Sequence, residues 1–407
     1  MNVTKVQIPE GMQDTLMGEC VRKRCVERQL RTLFSLSGYQ EIETPLLEYY
    51  RTFDDAVYGF SEQHVWKTFD RQGRVLALRP DSTIPAVRIA ASRLEKEPLP
   101  LRLSYVQNVA AFQTDTASAL CESTQAGVEL MGEADPMADA EVIALSIQAM
   151  LGAGLNDFQI DLGQVAFFKG FMEEAGLSPA QAEIFRGFVE EKNTLAMQLF
   201  LQNSDVSKEV TNRLMRLPQL YGDASVLGEA ESITKNPTCR EAVKNLRQVL
   251  SILDAYDCRK YVSIDLGMVH AVNYYSGIIF RGITGRLGQP LLSGGRYDGL
   301  SARFGREIPA TGFGLSVKLL LMALERQGEE FCAPVTQAAL GFDSVSLKEA
   351  IAWAQEKRGQ NISVSMYYGA SQEDLQNLIA QGKAVSAAYV ENGQVLLYTG
   401  EDGLWRA

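Results

Sequence analysis

The sequence predicts an α+β protein: a mixed sheet-and-helix domain carrying a helical insertion, followed by a small α/β domain. Three observations lead there. Strand-like alternation at 64–81, 101–112 and 124–132 precedes a Leu-spaced, Lys/Glu-rich stretch from about 166 to 257, as in AEIFRGFVEEKNTLAMQLFLQ. Strand character then returns at YVSIDLGMV (261–269) and YYSGIIFRGI (274–283), which makes the helical stretch an insertion. Beyond Gly328 to Pro334, short strand-like and helix-like runs alternate in a different rhythm. A chain of 407 residues has room for two or three domains. The expected boundaries are 1–327, with the insertion at 166–257, and 334–407.

Taken in order, residues 14–36 place Leu16, Met17, Val21, Cys25, Leu30, Leu33 and Phe34 on roughly one helical face, stopped by Gly38. QEIETPLLEYY (40–50) reads as one strand, with Pro45 arguing for an edge or interface position. The next alternating segment breaks at Gln72-Gly73, a hairpin signal, and residues 83–94 are helical after a turn at Asp81-Ser82. Strands at 101–112 and 124–132 flank an irregular stretch, 113–123. DAEVIALSIQAMLGAGL is an amphipathic helix ending in glycine, and FQIDLGQ (158–164) a strand. PATGFGLSVKLLLMALERQ is expected to begin a long helix near Gly314. In the tail, AALGFD, ISVSMYY, AVSAAYV and QVLLYTG read as strands around the helices LKEAIAWAQEKRG and SQEDLQNLIAQG.

The formal net charge is −11 and no Lys/Arg-rich run occurs, which argues against nucleic acid as a partner, because such binding rests on cations neutralising phosphates. The six cysteines are scattered without a CxxC pair, as expected of reduced thiols. The two histidines, His64 and His270, exclude HExxH-type sites, so neither metal nor cofactor is expected. The N-terminal residues hold no apolar signal region and no run approaches the ~20 apolar residues that span a bilayer. The expectation is a soluble cytoplasmic protein with no membrane partner.

Four segments carry candidate chemistry. LRPDST (78–83) offers Asp81 and Thr83 at a strand end, a pair able to accept hydrogen bonds from an ammonium group. Taken alone it reads first as a turn, with Asp81 capping the following helix. QAGVELMG places Gln125 and Glu129 on one strand face, and a core-facing carboxylate requires a partner or a polar ligand; the bland alternative is a solvated outer face. VNYYSG supplies Tyr274 and Tyr275, which point to opposite sides if the strand is regular and are otherwise ordinary core aromatics. SGGRYDGL combines glycines with Arg296, Tyr297 and Asp298; its simplest reading is a sharp turn with a surface ion pair.

Together and in order, PEGMQD, GYQEIETPLLE, LRPDST, YVQNV…QAGVELMG, GMVHAVNYYSG, LSGGRYDGL and PATGFG resemble the histidyl-tRNA synthetase catalytic domain over about residues 5–325. The tail resembles a shortened anticodon-binding domain more weakly. LRPDST, NYYSGIIFRG and LSGGRYDGL are closer still to the regulatory subunit of ATP phosphoribosyltransferase, a synthetase paralogue of histidine biosynthesis. The resemblance implies a class II aminoacyl-tRNA synthetase-like antiparallel sheet flanked by helices. It also implies a histidine pocket in which Asp81, Thr83 and Gln125 hold the α-ammonium. Glu129 and Tyr274 would read the imidazole nitrogens, and Tyr275 and Tyr297 would close the site.

The departures from the synthetase pattern fall on its cations. From Tyr105 to Gly132 there is no lysine or arginine. The second-motif arginine falls on Ala111 and an ATP-facing glutamate on Gln113; the RGLDYY pattern gives His270 and Asn273; the last-motif arginine falls on Leu319, with Lys318 one position off and expected to point elsewhere. Each charge-assisted contact is worth roughly 1.5–3 kcal/mol. Losing three removes on the order of 5–9 kcal/mol of transition-state stabilisation, three to six decades in rate. The resemblance therefore implies a non-catalytic subunit that dimerises through the face around Pro45, binds a short-form ATP phosphoribosyltransferase catalytic subunit and takes free L-histidine as effector. The rivals are a true histidyl-tRNA synthetase and a synthetase-like module for another amino acid. Arg79, Arg88 or backbone donors are candidates to meet the histidine carboxylate.

Overall fold

The structure, a computed structural model, describes residues 8–9, 11–53, 65–111, 121–269, 274–328, 335–399 and 404–406. The first long helix, Met17–Leu36, turns Val26, Leu30 and Phe34 inward at four-residue spacing and ends before Gly38, whose φ of +84° suits a residue without a Cβ. Twelve strands follow before the tail: β1 (Gln40–Glu41), β2 (Leu47–Tyr49), β3 (Lys67–Phe69), β4 (Val75–Leu78), β5 (Leu101–Ala110), β6 (Glu122–Met131), β7 (Gln159–Gln164), β8 (Tyr221–Gly222), β9 (Val262–Asp265), β10 (Ile278–Ile283), β11 (Leu292–Arg296) and β12 (Ala310–Ser316). Nine of them form one sheet in the order β1-β5-β6-β12-β11-β10-β7-β9-β8, and β2-β4-β3 form a smaller one. Neighbours in the large sheet are antiparallel except β1 with β5 and β7 with β9. The helices flanking this sheet complete the class II histidyl-tRNA synthetase-like fold.

Two segments depart from their expected form. Residues 40–50 are not one strand: β1 pairs with β5, whereas β2 joins the small sheet. Between them Pro45 has no N–H to donate, and side chains hold the backbone instead. Gln107 Oε1 accepts from Thr44 N at 3.1 Å, and Arg79 donates to the Thr44 carbonyl at 2.6 Å. The helix expected near Gly314 begins at Val317, with Ser316 Oγ accepting from Leu319 N at 3.3 Å; residues 310–316 are β12. The glycines there serve a strand, as the site below explains.

Between β7 and β9 six helices are inserted, from Val165–Glu174 to Pro237–Ala255. The last of these presents Val243, Leu246, Val249, Leu250 and Leu253 to the core shared with the helix Pro136–Gly152. Its start is specified locally: Asn236 accepts from Thr238 N at 2.7 Å, and Pro237 occupies a position whose N–H would have no helical partner.

The chain divides into two compact units, Met1–Thr15 with Arg22–Glu330, and Leu16–Val21 with Phe331–Ala407. In the second, β13 (Thr336–Phe342), β14 (Val364–Tyr368), β15 (Ala384–Glu391) and β16 (Gln394–Tyr398) are ordered β14-β13-β15-β16. β13 alternates, sending Ala338, Leu340 and Phe342 to one apolar cluster and Ala339 to another, so both faces are packed. Among the described residues no helix is long and apolar enough to cross a membrane, and no group of three or more His, Cys, Asp or Glu side chains is placed to hold a metal ion.

Candidate functional site

The site is laid out by β6, which lies between β5 and β12. Gln125 and Glu129 share one face of β6, and directly between them Gly127 lies opposite Tyr105 of β5 and Gly314 of β12. The Tyr105 ring therefore crosses a strand position that has no side chain, and its hydroxyl donates to Glu129 Oε1 at 3.1 Å. On the other side, a Cβ at Gly312 would lie 1.8 Å from Glu129 Oε2, and one at Gly314 would lie 2.4 Å from Gln125 Nε2. These glycines are the floor on which the two polar side chains rest.

The turn after β4 closes one wall. Ser82 N donates to Gln125 Oε1 at 2.9 Å; Ser82 is the N-cap of the helix Thr83–Ser92, and Asp81 Oδ1, one residue earlier, accepts from Ile84 N at 3.3 Å. The Asp81 charge also lies close enough to raise the pKa of Tyr105, Glu129, Tyr274 and Tyr275. Thr83 opens that helix, close enough to Glu129 for its hydroxyl to favour the ionised carboxyl. Three tyrosines form the opposite wall. The Tyr297 hydroxyl donates to Glu129 Oε2, and the Tyr274 ring centroid lies 4.8 Å from Tyr275 and 6.0 Å from Tyr297. Tyr274 and Tyr275 do not point to opposite sides, because β10 starts only at Ile278 and the pleat does not reach them.

Asp81, Thr83, Gln125, Glu129, Tyr274, Tyr275 and Tyr297 thus gather on neighbouring elements, linked by the Ser82–Gln125 and Tyr297–Glu129 hydrogen bonds and the tyrosine ring contacts. Tyr105 belongs with them and was not singled out by sequence reasoning, since only the β5–β6 register sets its ring across Gly127. Arg296 and Asp298 are not a surface pair. Arg296 Nε donates to Asp139 at 3.0 and 3.1 Å and Nη1 to Asp298 at 3.2 Å, with Arg296 and Asp139 both buried. That network fixes the β11 end from which Tyr297 projects, and Ser276 N, just after the tyrosine pair, donates to the Arg296 carbonyl at 2.8 Å.

Burial dominates the electrostatics. It lifts Glu129 to about 8, against the opposing hydroxyls of Tyr297, Thr83 and Tyr105, while nearby Asp81 adds to the rise. It likewise lifts Asp81 to about 7, opposed by the Ile84 N–H and the Arg79 charge. Among the described residues neither carboxyl has a lysine or arginine ion-pair partner. Arg79 acts only from a distance: it donates to the Thr44 and Asn108 carbonyls and to Gln107 Oε1. Arg88 is paired with Glu48. Two buried acids without a counter-ion are costly to ionise, and a cationic ligand relieves that cost.

Beside the pocket lies a cleft of about 460 Å³, which Gln125 and Gly314 also border. Its lining is mixed, with Val109, Leu287, Leu319 and Met322 beside Ser123, Ser293, Lys318 and Arg326. The expectation that Lys318 points elsewhere is therefore corrected: Lys318 and Leu319 both sit in the first turn of the helix Val317–Gln327, whose end borders the cleft. Lys318 Nζ bonds Gln13 Oε1 at 2.5 Å. Ala111 bridges Val65, while Gln113, His270 and Asn273 lie outside the described residues.

A family model described as histidyl-tRNA synthetase matches residues 11–320. The ATP phosphoribosyltransferase regulatory subunit of Acetivibrio thermocellus is 42% identical over 362 residues, 89% of this chain and 87% of that one. The chain belongs to the family of ATP phosphoribosyltransferase regulatory subunits. The subunit of the same name from Clostridium acetobutylicum is 41% identical over 79% of each chain. A solved structure of an ATP phosphoribosyltransferase regulatory subunit/histidyl-tRNA synthetase from Bacillus halodurans superimposes with a TM-score of 0.86 at 33% identity, covering 96% of this chain and 100% of that one. Histidyl-tRNA synthetase from Nostoc, at 17% identity and a TM-score of 0.81, shares the fold. The regulatory-subunit name of the relatives fits a non-catalytic role.

Proposed function

We propose that this chain is the non-catalytic regulatory partner of a short-form ATP phosphoribosyltransferase catalytic subunit, dimerises through the face around Pro45, and holds free L-histidine in the Asp81–Glu129 pocket. The observation that carries this reading is a pair of buried carboxyls, Asp81 and Glu129, gathered with Thr83, Gln125 and tyrosine hydroxyls in a chain whose three resembled arginine positions hold Ala111, His270 and Leu319. Asp81, Thr83 and Gln125 suit an ammonium group, and Glu129 with Tyr274 suits the N–H edges of an imidazole. Bound histidine would bias the complex by binding one of its conformations more tightly than the other.

Calorimetry of the purified chain with free histidine tests the sensing role; no heat at millimolar ligand would sink it, though not association with the catalytic subunit. Co-purification tests association, and failure to associate with or without histidine would remove the regulatory reading. The histidyl-tRNA synthetase family match favours one rival. Histidine-dependent pyrophosphate–ATP exchange is expected at background, and exchange well above it would establish synthetase chemistry.

The pocket acids also imply a pH dependence. Asp81 and Glu129 ionise at about 7 and about 8 in the folded chain, against 3.8 and 4.5 ordinarily. Below the ordinary values neither state is ionised and nothing is lost. As pH rises from about 4 towards 8 the unfolded chain ionises first, so the unliganded fold loses stability. A bound cation favours the ionised acids, so binding releases protons. Histidine affinity is expected to weaken as pH falls from 8 to 6, with calorimetric heats that differ between buffers of different ionisation enthalpy. Buffer-independent heats and a flat affinity across that range would contradict the coupling.

A further inference from the structure

The pocket has acceptors for an amine and for a ring, but the charges around it offer little to a carboxylate. Resting on the histidine-binding reading above, we infer that the ligand class is set by the amine and the imidazole alone: the site accepts imidazole-bearing primary amines whether or not they carry a carboxylate.

The inference comes from accounting for each nearby cation. Arg79, the closest to Asp81 in sequence, spends its Nη1 on the Thr44 carbonyl at 2.6 Å and Gln107 Oε1 at 3.0 Å, and its Nε on the Asn108 carbonyl at 3.0 Å. It is 4% exposed, so it cannot swing to a ligand without leaving those carbonyls unsatisfied. Arg88 is held by Glu48. Arg296 is held by Asp139 and Asp298, with Nη1 also on the Glu133 carbonyl at 3.1 Å. Of the three positions where the resemblance places synthetase arginines, two hold Ala111 and Leu319, and the third, His270, lies outside the described residues. Lys318 lines the adjoining cleft with its ammonium on Gln13, and Arg326, which also lines it, donates to the Arg286 carbonyl at 2.6 Å.

The field inside the pocket points the same way. Asp81 and Glu129 are both buried and act on one another, so a third negative group drawn close to them is repelled in a medium that screens poorly. A ligand carboxylate is better placed towards the 460 Å³ cleft, where Ser123, Ser293 and water can solvate it. It then contributes little to affinity. Had the site kept a buried arginine for it, removing the carboxylate would cost roughly tenfold or more in affinity, the usual result of deleting one partner of a charge-assisted bond.

The test is calorimetry of the full-length chain with L-histidine, L-histidinol and histamine at pH 7.5, repeated with a Lys318→Met variant. The expected result is that histidinol and histamine bind within about threefold of histidine, and that Lys318→Met shifts all three in parallel. Histidine binding with histidinol and histamine at least tenfold weaker would overturn the inference while leaving histidine sensing intact. A Lys318→Met variant that loses histidine selectively would also overturn it, by identifying Lys318 as the carboxylate's partner. If none of the three binds, the sensing reading fails and this inference falls with it. Binding of histamine and histidinol but not histidine would sink sensing and also overturn the inference, because the carboxylate would then be excluded and not tolerated.

Discussion

A Glu129→Gln variant is expected to bind histidine about 10- to 100-fold more weakly, the loss of one charge-assisted contact worth roughly 1.5–3 kcal/mol. The same variant should be more stable than the parent when unliganded at pH 8. These opposite signs follow from one feature: Glu129 is fully buried, and its ionisation is deferred to about 8 by that burial. Glutamine keeps the shape and an oxygen for one of the Tyr105 and Tyr297 hydroxyls, while its amide nitrogen can donate to the other, and it has no charge to bury. The stability gain should shrink as pH falls towards 5, where the parent's carboxyl is protonated in the fold and increasingly so in the unfolded chain. Thermal melts at several pH values, with and without histidine, read both effects. A variant that binds histidine like the parent would remove Glu129 from the site, and one that is less stable than the parent at pH 8 would show that burial of the charge costs little.

Gly312→Ala carries the largest expected loss of stability. Its Cβ would come within 1.8 Å of Glu129 Oε2 and 2.5 Å of the Val128 carbonyl, and β12 is an inner strand of the nine-stranded sheet. Neither neighbour can yield cheaply. The carbonyl is ladder backbone, and the carboxyl is held by the Tyr105 and Tyr297 hydroxyls. Over-packing of this kind costs about 3 kcal/mol or more, so the variant should melt many degrees below the parent or fail to fold. Gly187→Ala is the contrast. It lies within the helix Pro179–Glu190 with open space around its Cβ position, and alanine there should stabilise by about 0.5–1 kcal/mol. A Gly312→Ala protein melting within a degree or two of the parent would mean that β6 and β12 separate more easily than their register indicates.

Much of this protein was legible before its coordinates. The hairpin around Gln72-Gly73, the six-helix insertion and the alternation of the tail each follow from periodicity and turn chemistry that act over a few residues. Where sequence reading went astray, the deciding contact was remote. PATGFG was expected to run into a helix near Gly314; its glycines lie in β12, where Glu129 and Gln125, far away in the chain, occupy the space above them. Residues 40–50 looked like one strand because the anchors that hold Thr44 off the ladder, Gln107 and Arg79, come from other elements. Arg296 and Asp298 looked like a surface pair because Asp139 is 157 positions from Arg296.

The candidate site divides along the same line. Which polar groups it contains, and which cations it lacks, could be read from LRPDST, QAGVELMG, VNYYSG and SGGRYDGL, since residue type alone says what can accept a proton or carry a charge. That these segments meet, that Tyr105 joins them, and that Arg79 and Arg88 are engaged elsewhere was decided only by the tertiary structure. Chemistry is a property of each side chain, whereas burial, register and partnership belong to pairs of residues that the chain brings together only on folding.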